Sequence, residues 1–236
     1  MTSDGLLLLD IGNSQLKSCW QSHRQSFAWR DHIQLKHFAE CLNSWNPQLV
    51  VLLSSAPQID EKIEQLLAGY QVKRIVASDV PLKIKSKGTG IDRLVAAFAA
   101  THKSSSAVIV VDLGTAFTID VVDEHHNFRG GAIGPGLSTQ LEALKNAAPH
   151  LAAPLRGCEQ IPKSTAAAVH DGTYQALAIS LQSLVCRYSE DLGTEVEVFI
   201  CGGDAEVMLP LLPQGWRHQQ YLLFDGMNDI AQQFLT

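Results

Sequence analysis

The chain has 236 residues, of which 46% are hydrophobic and 18% are charged, so it can bury an ordinary hydrophobic core without disulfides or a structural metal. The charged fraction is too low for a disordered tail or a solvated linker protein. A net charge of −6 disfavours a protein that coats nucleic acid or an anionic membrane, and we expect neither partner.

The first half of the chain alternates strand and helix patterns. Short apolar runs bounded by turn residues predict strands, and apolar residues at helical spacing predict helices. The predicted strands are Leu6–Asp10, Gln15–Trp20, Ser26–Arg30, Leu49–Leu53 and Val72–Val76. The predicted helices are Leu35–Trp45, Gln58–Leu67 and the alanine-rich Asp92–His102.

The second half of the chain restarts the pattern. The predicted strands here are Ala107–Asp112, Thr115–Val122, Phe128–Ile133 and Glu195–Cys201. The turn Gly134–Gly136 opens a helix that ends near Asn146. The stretch Thr165–Ser189 predicts one long helix with Ser164 or Thr165 as its N-cap, and two short helices are expected to finish the chain.

This restart is an internal repeat. Four apolar residues precede Asp10-Ile11-Gly12, and four precede Asp112-Leu113-Gly114. In each case a small polar residue and a second strand follow. The repeat predicts an α/β fold of two similar lobes, each with a mixed β-sheet flanked by helices, and a cleft between them. We place the boundary at the polar run near residue 105, which gives domains 1–105 and 106–236.

The first acidic turn has the residue types that bind nucleotide phosphates. Gly12 lets backbone N–H groups approach a phosphate, Asn13 and Ser14 add side-chain hydrogen bonds, and Lys17 supplies a positive charge. Asp10 would hold Mg²⁺ through water, because Mg²⁺ gives up its hydration shell reluctantly. For this segment alone, a β-turn stabilised by local Asp and Asn hydrogen bonds is an equal alternative.

The second acidic turn, Asp112–Asp120, offers another carboxylate beside a glycine. Thr115 can donate a hydrogen bond to a nucleotide phosphate. Two such turns that face each other can hold a triphosphate and its metal ion, and the pair is more specific than either turn alone. The sequence contains no Gly-x-x-x-x-Gly-Lys-[Ser/Thr] motif, so it is not a P-loop protein.

A third acidic group, Asp92, lies in the segment Gly90–Arg93 at the start of a predicted helix. The structural alternative is a capping box, because Thr89 lies three residues before Asp92. In the functional interpretation, Arg93 binds a substrate carboxylate in bidentate fashion and Asp92 accepts a proton from an attacking hydroxyl. An ordinary carboxylate suffices, because phosphoryl transfer depends more on positioning than on basicity.

Two glycine-rich turns, Gly130–Gly136 and Gly202-Gly203, each separate a strand from a helix. Such turns allow close approach of the backbone to a base or ribose, although each alone fits a tight connection without a ligand. The cysteines are scattered and contain no Cys-x-x-Cys pair, so we expect reduced thiols and a cytoplasmic protein. The acidic start and the absence of an apolar run of about 20 residues predict neither a signal peptide nor a membrane span.

Five motifs in register resemble the type III pantothenate kinase family along nearly the whole chain. They are Asp10-x-Gly12-Asn13-Ser14-x-x-Lys17, Gly90-x-Asp92-Arg93, Asp112-x-Gly114-Thr115-Ala116, Gly130-Gly131-x-Ile133-x-Pro135-Gly136 and Gly202-Gly203-x-Ala205. The resemblance implies the superfamily of acetate and sugar kinases, heat-shock ATPases and actin, with two ribonuclease-H-like lobes. It also implies ATP-dependent phosphorylation of pantothenate to 4'-phosphopantothenate, the first step of coenzyme A biosynthesis, by a homodimer that uses Mg²⁺ and K⁺ or NH₄⁺.

The same resemblance assigns site residues by position. Asp92 becomes the catalytic base, and Asp112 binds the monovalent cation. The ATP-binding residues implied are Asp10, Ile11, Gly12, Asn13, Ser14, Gln15, Leu16, Lys17 and Thr115. The pantothenate-binding residues implied are Gly90, Ile91, Asp92, Arg93 and Thr165.

One departure from the family pattern keeps alternative functions open. The family usually has a substrate-contacting tyrosine about seven residues before Gly-x-Asp-Arg, whereas this chain has the basic stretch Leu82–Lys87 without an aromatic residue. The alternatives are phosphorylation of another small hydroxy acid, and a regulatory relative that binds nucleotide or assists transcription. The second has little support from the acidic net charge, and a pure binder does not need all three of Asp10, Asp92 and Asp112.

Overall fold

The computed structural model describes residues 5–21, 23–151, 153–156 and 160–235. Cys158 lies outside the described residues. The other cysteines, Cys19, Cys41, Cys186 and Cys201, are free thiols. No helix within the described ranges is long and apolar enough to cross a membrane.

The first sheet has five strands in the order β3-β2-β1-β4-β5. The central strand β1 pairs antiparallel with β2 and parallel with β4. Leucine and valine side chains fill β1 and β4, which are almost entirely buried because both faces of the sheet are covered. The strands are β1 (Leu6–Ile11), β2 (Leu16–Trp20), β3 (His23–Phe27), β4 (Leu49–Ser54) and β5 (Val72–Arg74).

The second sheet repeats this topology. Its order is β11-β10-β7-β8-β9-β6, in which β7 pairs antiparallel with β8 and parallel with β10, as β1 does with β2 and β4. The internal repeat therefore predicts the topology correctly, and the mixed α/β class is confirmed. The strands are β6 (Lys83–Ile84), β7 (Ala107–Leu113), β8 (Ala116–Val122), β9 (Asn127–Pro135), β10 (Val196–Cys201) and β11 (Arg217–His218).

Helices pack on both sheets and form hydrophobic cores with them. One core joins the first sheet to side chains such as Leu35 and Phe38, and the other joins the second sheet to side chains such as Leu177 and Leu181. The helices are α1 (His32–Trp45), α2 (Pro57–Leu66), α3 (Ile91–Thr101), α4 (Leu137–Ala147), α5 (Thr165–His170), α6 (Ala176–Leu192), α7 (Ala205–Met208) and α8 (Leu222–Leu235).

The chain divides into two compact units. The first comprises Met1–Leu82, Lys87–Ala99 and Leu222–Thr236, and the second comprises Lys83–Ser86 and Ala100–Tyr221. In the first unit α8 packs closely on α3, because Gly226 has no Cβ and its backbone lies against the Val95 carbonyl. Our domain boundary near residue 105 stays a prediction.

Three predicted elements differ from the structure. The strand predicted at Ser26–Arg30 is wrong in position: β3 ends at Phe27, and the chain then turns, with the Asp31 N–H donating to the Ala28 carbonyl. The helix predicted over Thr165–Ser189 is interrupted by a π-helical turn, Asp171–Gln175. The chain ends in the short α7, the strand β11 and a 14-residue helix, not in two short helices.

The buried carboxylate of Asp123 organises the turn between β8 and β9. It accepts hydrogen bonds from the backbone N–H groups of His125 and Asn127, from the Asn127 amide and from Arg129. Burial acts to raise the pKa of Asp123, but these hydrogen bonds outweigh it and hold the pKa below its ordinary value. The ionised carboxylate is therefore part of the folded state.

We expect Asp123→Asn to lower the free energy of unfolding by about 1–3 kcal/mol at pH 7, because charge-assisted hydrogen bonds are lost. Since the folded-state pKa is depressed, this contribution is present above the unfolded pKa and is lost as the pH falls through the folded pKa. Urea unfolding between pH 7 and pH 3 tests this, with the exposed Glu124→Gln as control. A difference between wild type and Asp123→Asn that stays constant across this range would contradict it.

Candidate functional site

In the first unit, the β1–β2 turn carries the first acidic motif. Asp10 is only 6% exposed and lies directly opposite Lys17 in the strand register. The Lys17 Nζ lies 3.9 Å from Asp10 Oδ2, so the amine partly offsets the cost of burying the carboxylate. The Gly12 N–H donates to the Gln15 carbonyl at 2.9 Å, which closes the turn and leaves Asn13 and Ser14 exposed at its tip.

Asp92 lies in the first turn of α3, also in the first unit. Its Oδ1 accepts a hydrogen bond from the Arg93 N–H at 2.9 Å, which fixes the carboxylate over the helix start. A Cβ on Gly90 would lie 2.5 Å from the same oxygen, so a larger residue there would displace the Asp92 carboxylate. The sequence motif Gly-x-Asp-Arg thus forms one local structure in which the carboxylate, the helix N-terminus and Arg93 are neighbours.

In the second unit, the β7–β8 turn carries the second acidic motif. The Gly114 N–H donates to the Ala116 carbonyl at 3.1 Å, and Asp112 lies opposite Thr118 in the strand register. The Thr118 hydroxyl donates to Asp120 Oδ2 at 3.1 Å. Asp120 is 1% exposed, so this pair buries a carboxylate on the strand next to Asp112.

The second turn is tied to the start of α4. The Thr115 carbonyl accepts hydrogen bonds from the Gly136 N–H at 3.0 Å and from the Thr139 hydroxyl at 2.6 Å. Gly136 fits tightly there, because a Cβ would lie 1.9 Å from the Gly114 carbonyl oxygen. The predicted turn Gly134–Gly136 therefore lies directly against the predicted nucleotide-binding turn, and Thr115 itself is exposed.

Gly202, in the turn after β10, lies against the Asp112 carboxylate. Its φ is +96°, and a Cβ would lie 2.4 Å from both Asp112 Oδ1 and the Leu113 carbonyl oxygen. These two oxygens therefore face the same glycine. Close by, Asp204 accepts hydrogen bonds from the backbone N–H and hydroxyl of Ser138 at the start of α4.

Thr165 is the first residue of α5 and is exposed. The Ser164 hydroxyl accepts the Ala167 N–H at 3.2 Å and is the N-cap. Of the two residues proposed as cap, Ser164 performs this role. The Thr165 hydroxyl is therefore not the N-cap of α5.

The donor sets fit the expected cations by their chemistry. The Asp10 carboxylate and the paired oxygens of Asp112 and Leu113 are hard oxygen donors, which suit Mg²⁺ and monovalent cations. Across the described part of the chain, no group of three or more His, Cys, Asp or Glu side chains is placed to hold a metal ion. Any cation here would therefore take further ligands from backbone, water or substrate.

The structure groups the predicted residues within each unit, and sequence reasoning missed several that support them. Asp10–Lys17 and Gly90–Arg93 belong to the first unit, while Asp112, Thr115 and Thr165 belong to the second. Trp29 belongs to none of the sequence motifs, but its indole N–H donates to the Gly12 carbonyl at 3.0 Å. Gln58, which carried no motif, contacts Asn13.

Comparison with known proteins defines the class of this chain. The family model described as type III pantothenate kinase matches residues 6–187. Proteins named type III pantothenate kinase from Zymomonas mobilis and Nitrosomonas eutropha are each 32% identical; the first alignment covers 86% of this chain and 83% of the relative, the second 98% and 95%. A third from Alkalilimnicola ehrlichii is 30% identical over 96% of this chain and 98% of the relative.

Solved structures share the fold. A Campylobacter jejuni crystal structure described as a conserved Baf family transcriptional activator matches with a TM-score of 0.72 at 19% identity, covering 97% of this chain and 98% of that one. An inorganic polyphosphate/ATP-glucomannokinase from an Arthrobacter strain matches with a TM-score of 0.51 at 17% identity, covering 97% and 98%. These likenesses show that the chain shares the fold of these two proteins.

The chain is thus a kinase, a phosphotransferase that uses ATP. It belongs to the type III pantothenate kinase family. Membership carries ATP-dependent phosphorylation of pantothenate in coenzyme A biosynthesis, so the function expected from the five sequence motifs is confirmed at the level of the family.

We expect Gly202→Ala to lower the free energy of unfolding by about 2–4 kcal/mol. The alanine would have to adopt a left-handed φ, and its Cβ would overlap the oxygens of Asp112 and Leu113. The neighbouring Gly203 is the matched control, since a Cβ there meets no atom within 4 Å. Urea unfolding of both variants measures the difference. Equal stabilities of Gly202→Ala and Gly203→Ala would refute the close approach at Asp112.

Proposed function

We propose that the chain transfers the γ-phosphoryl group of ATP to the hydroxyl of pantothenate with Asp92 as the general base. The observation that carries this is the local structure at the start of α3, where the Arg93 N–H holds the Asp92 carboxylate at 2.9 Å. A carboxylate held in one orientation can accept the hydroxyl proton while the oxygen attacks phosphorus in line. The proton passes to Asp92, and ADP leaves with the electrons of the broken P–O bond.

Pantothenate would be held by Gly90–Arg93 and by Thr165. Pantothenate carries a carboxylate, and the planar guanidinium of Arg93 can bind a carboxylate with two parallel hydrogen bonds. The first turn of α3 adds the partial positive charge of a helix N-terminus. The exposed Thr165 hydroxyl can donate or accept one further hydrogen bond, since Ser164 performs the capping role.

ATP would be held by Asp10–Lys17 and by Thr115. The exposed tip of the β1–β2 turn offers backbone N–H groups and the side chains of Asn13 and Ser14 to phosphate oxygens. Lys17 is half exposed, so its amine can contact a phosphate while it remains near Asp10. Donors prepositioned in this way stabilise the charge on the transferred phosphoryl group.

Two cations complete the proposal. Asp10 would hold Mg²⁺ through water, and Asp112 with the Leu113 carbonyl would hold K⁺ or NH₄⁺. When bound, the cations supply positive charge beside the phosphate oxygens. The family resemblance supports a homodimer, and the scattered free thiols support a cytoplasmic location.

Asp92→Asn should lower kcat by about 10²–10⁴-fold with little change in ATP affinity, because it removes the general base and keeps the shape of the side chain. The exposed Asp191→Asn on α6 is the control and should keep wild-type kcat. Coupled ADP-release kinetics and calorimetric titration with an ATP analogue measure both quantities. Wild-type turnover by Asp92→Asn would eliminate Asp92 as the base.

Replacement of K⁺ or NH₄⁺ by Na⁺ should reduce turnover, because the smaller ion does not suit a site made for the larger ones. Asp112→Asn should show the same turnover in K⁺ and Na⁺ buffers, since the negative charge of the ligand is gone. ADP release measured at constant ionic strength tests this. Equal cation dependence of wild type and Asp112→Asn would exclude Asp112 as the cation ligand.

This chain lacks the tyrosine that contacts the substrate in the family pattern, so the identity of its acceptor substrate needs its own test. In its place the chain has the edge strand β6, whose Lys83 and Ile84 are exposed. A panel of small hydroxy acids tested beside pantothenate in the same assay decides which acceptor is used. The proposal requires pantothenate to give the highest kcat/KM. A higher kcat/KM for another hydroxy acid would contradict pantothenate as the preferred substrate.

A further inference from the structure

We propose that Trp29 and Gln58 are positioning residues for the turn Gly12–Gln15. Trp29 sets the direction of the Asn13 backbone N–H, and Gln58 orients the Asn13 side chain. This inference rests on the proposed function, in which that turn binds the phosphates of ATP. Trp29 donates its indole N–H to the Gly12 carbonyl at 3.0 Å, and the Gln58 amide donates to Asn13 Oδ1 at 3.3 Å. The turn is thus held from two elements that belong to neither of its own strands.

The hydrogen bond to Gly12 matters because of peptide geometry. The Gly12 carbonyl and the Asn13 N–H belong to one planar peptide unit, in which a trans bond points the two groups in opposite directions. The described chain contains no cis peptide bond. When the indole holds the carbonyl on one side, the Asn13 N–H must point to the other side, away from Trp29.

A glycine at this position makes such a constraint necessary. Gly12 has no side chain to restrict its ψ angle, and a Cβ there would meet only the Gln15 carbonyl, at 3.4 Å. The peptide that follows Gly12 can therefore rotate at low cost. The Trp29 hydrogen bond selects one of the two orientations before the nucleotide arrives, which reduces the ordering cost of binding.

Trp29 is itself firmly placed. It lies in the turn Ala28–Asp31, which is closed by the Asp31 N–H donating to the Ala28 carbonyl at 2.9 Å. Asp31 caps α1 by accepting the Ile33 N–H at 2.8 Å, and the Gln34 side chain accepts the Ala28 N–H at 2.7 Å. The Arg30 guanidinium covers the indole face at 4.9 Å from the ring centroid. This cap-and-turn structure explains why the indole can act as a fixed donor.

The test is Trp29→Phe, which keeps an aromatic ring and removes the N–H donor. We expect the KM for ATP and the dissociation constant of a non-hydrolysable ATP analogue to rise about 3- to 10-fold, as the loss of one hydrogen bond implies. The KM for pantothenate and kcat should stay within about twofold. The control is Trp45→Phe, which removes an indole that stacks on Trp20 and should leave ATP affinity unchanged.

A reference variant separates failure of this inference from failure of the proposed function. Lys17→Met removes the positive charge of the turn and should weaken ATP binding if the turn holds phosphates. If Lys17→Met weakens binding and Trp29→Phe does not, the positioning role is overturned and the turn assignment survives. If neither variant weakens binding, both the assignment and the inference fail.

Gln58→Leu provides the second test, because Gln58 is exposed on α2 and its replacement keeps a good helix former. It should raise the ATP dissociation constant about twofold, in keeping with a single exposed hydrogen bond. If Trp29→Phe does not fold, as judged by its thermal transition, Gln58→Leu decides alone. An unchanged ATP affinity of Gln58→Leu would then overturn the inference.

Discussion

The structure depends on one repeated constraint: a buried strand carries a carboxylate at its second-to-last residue, and the chain then reverses through a glycine turn. In both sheets a single backbone hydrogen bond closes that turn, from Gly12 to Gln15 and from Gly114 to Ala116. A carboxylate at the end of a buried strand is costly unless partners compensate it. Lys17 beside Asp10 partly offsets this cost, and the missing side chain of Gly202 leaves room for the Asp112 carboxylate.

Glycines lie where other groups approach the backbone around these acids too closely for a side chain. Gly90, Gly136 and Gly202 each lie so close to an oxygen that a Cβ would overlap it. The oxygens concerned belong to Asp92, to Gly114 and to Asp112 with Leu113. The absence of a side chain therefore permits the close approach of the predicted catalytic and cation-binding groups, and the glycine motifs of the sequence reflect this packing.

Strong local signals explain what could be predicted from the sequence. β1, β4 and β7 are continuous apolar runs, and the Asp-x-Gly repeat predicted that two sheets share one topology. β3 was misplaced because four of its five residues are exposed and polar, so its pairing with β2 leaves no apolar pattern. The π-helical turn escaped prediction because hydrophobic periodicity does not distinguish it from an α-helix. Within it the Thr173 hydroxyl donates to the Val169 carbonyl.

The supporting residues of the site could not be predicted for a different reason. Trp29 lies 17 residues from Gly12 in sequence, and their contact exists only because α1 begins where it does. Similarly, the contact between Gln58 and Asn13 spans 45 residues. No periodicity or motif in the sequence encodes these two contacts. They follow from the way in which β1, α2 and the turn that precedes α1 are arranged in the folded chain.

The central claim is that this chain phosphorylates pantothenate with ATP. It is tested most directly by mass spectrometry and ³¹P NMR of the products formed from ATP and pantothenate by the purified protein. The account predicts one new phosphomonoester on pantothenate and an equal amount of ADP. ATP hydrolysis without phosphorylated pantothenate, or no consumption of ATP at all, would contradict it.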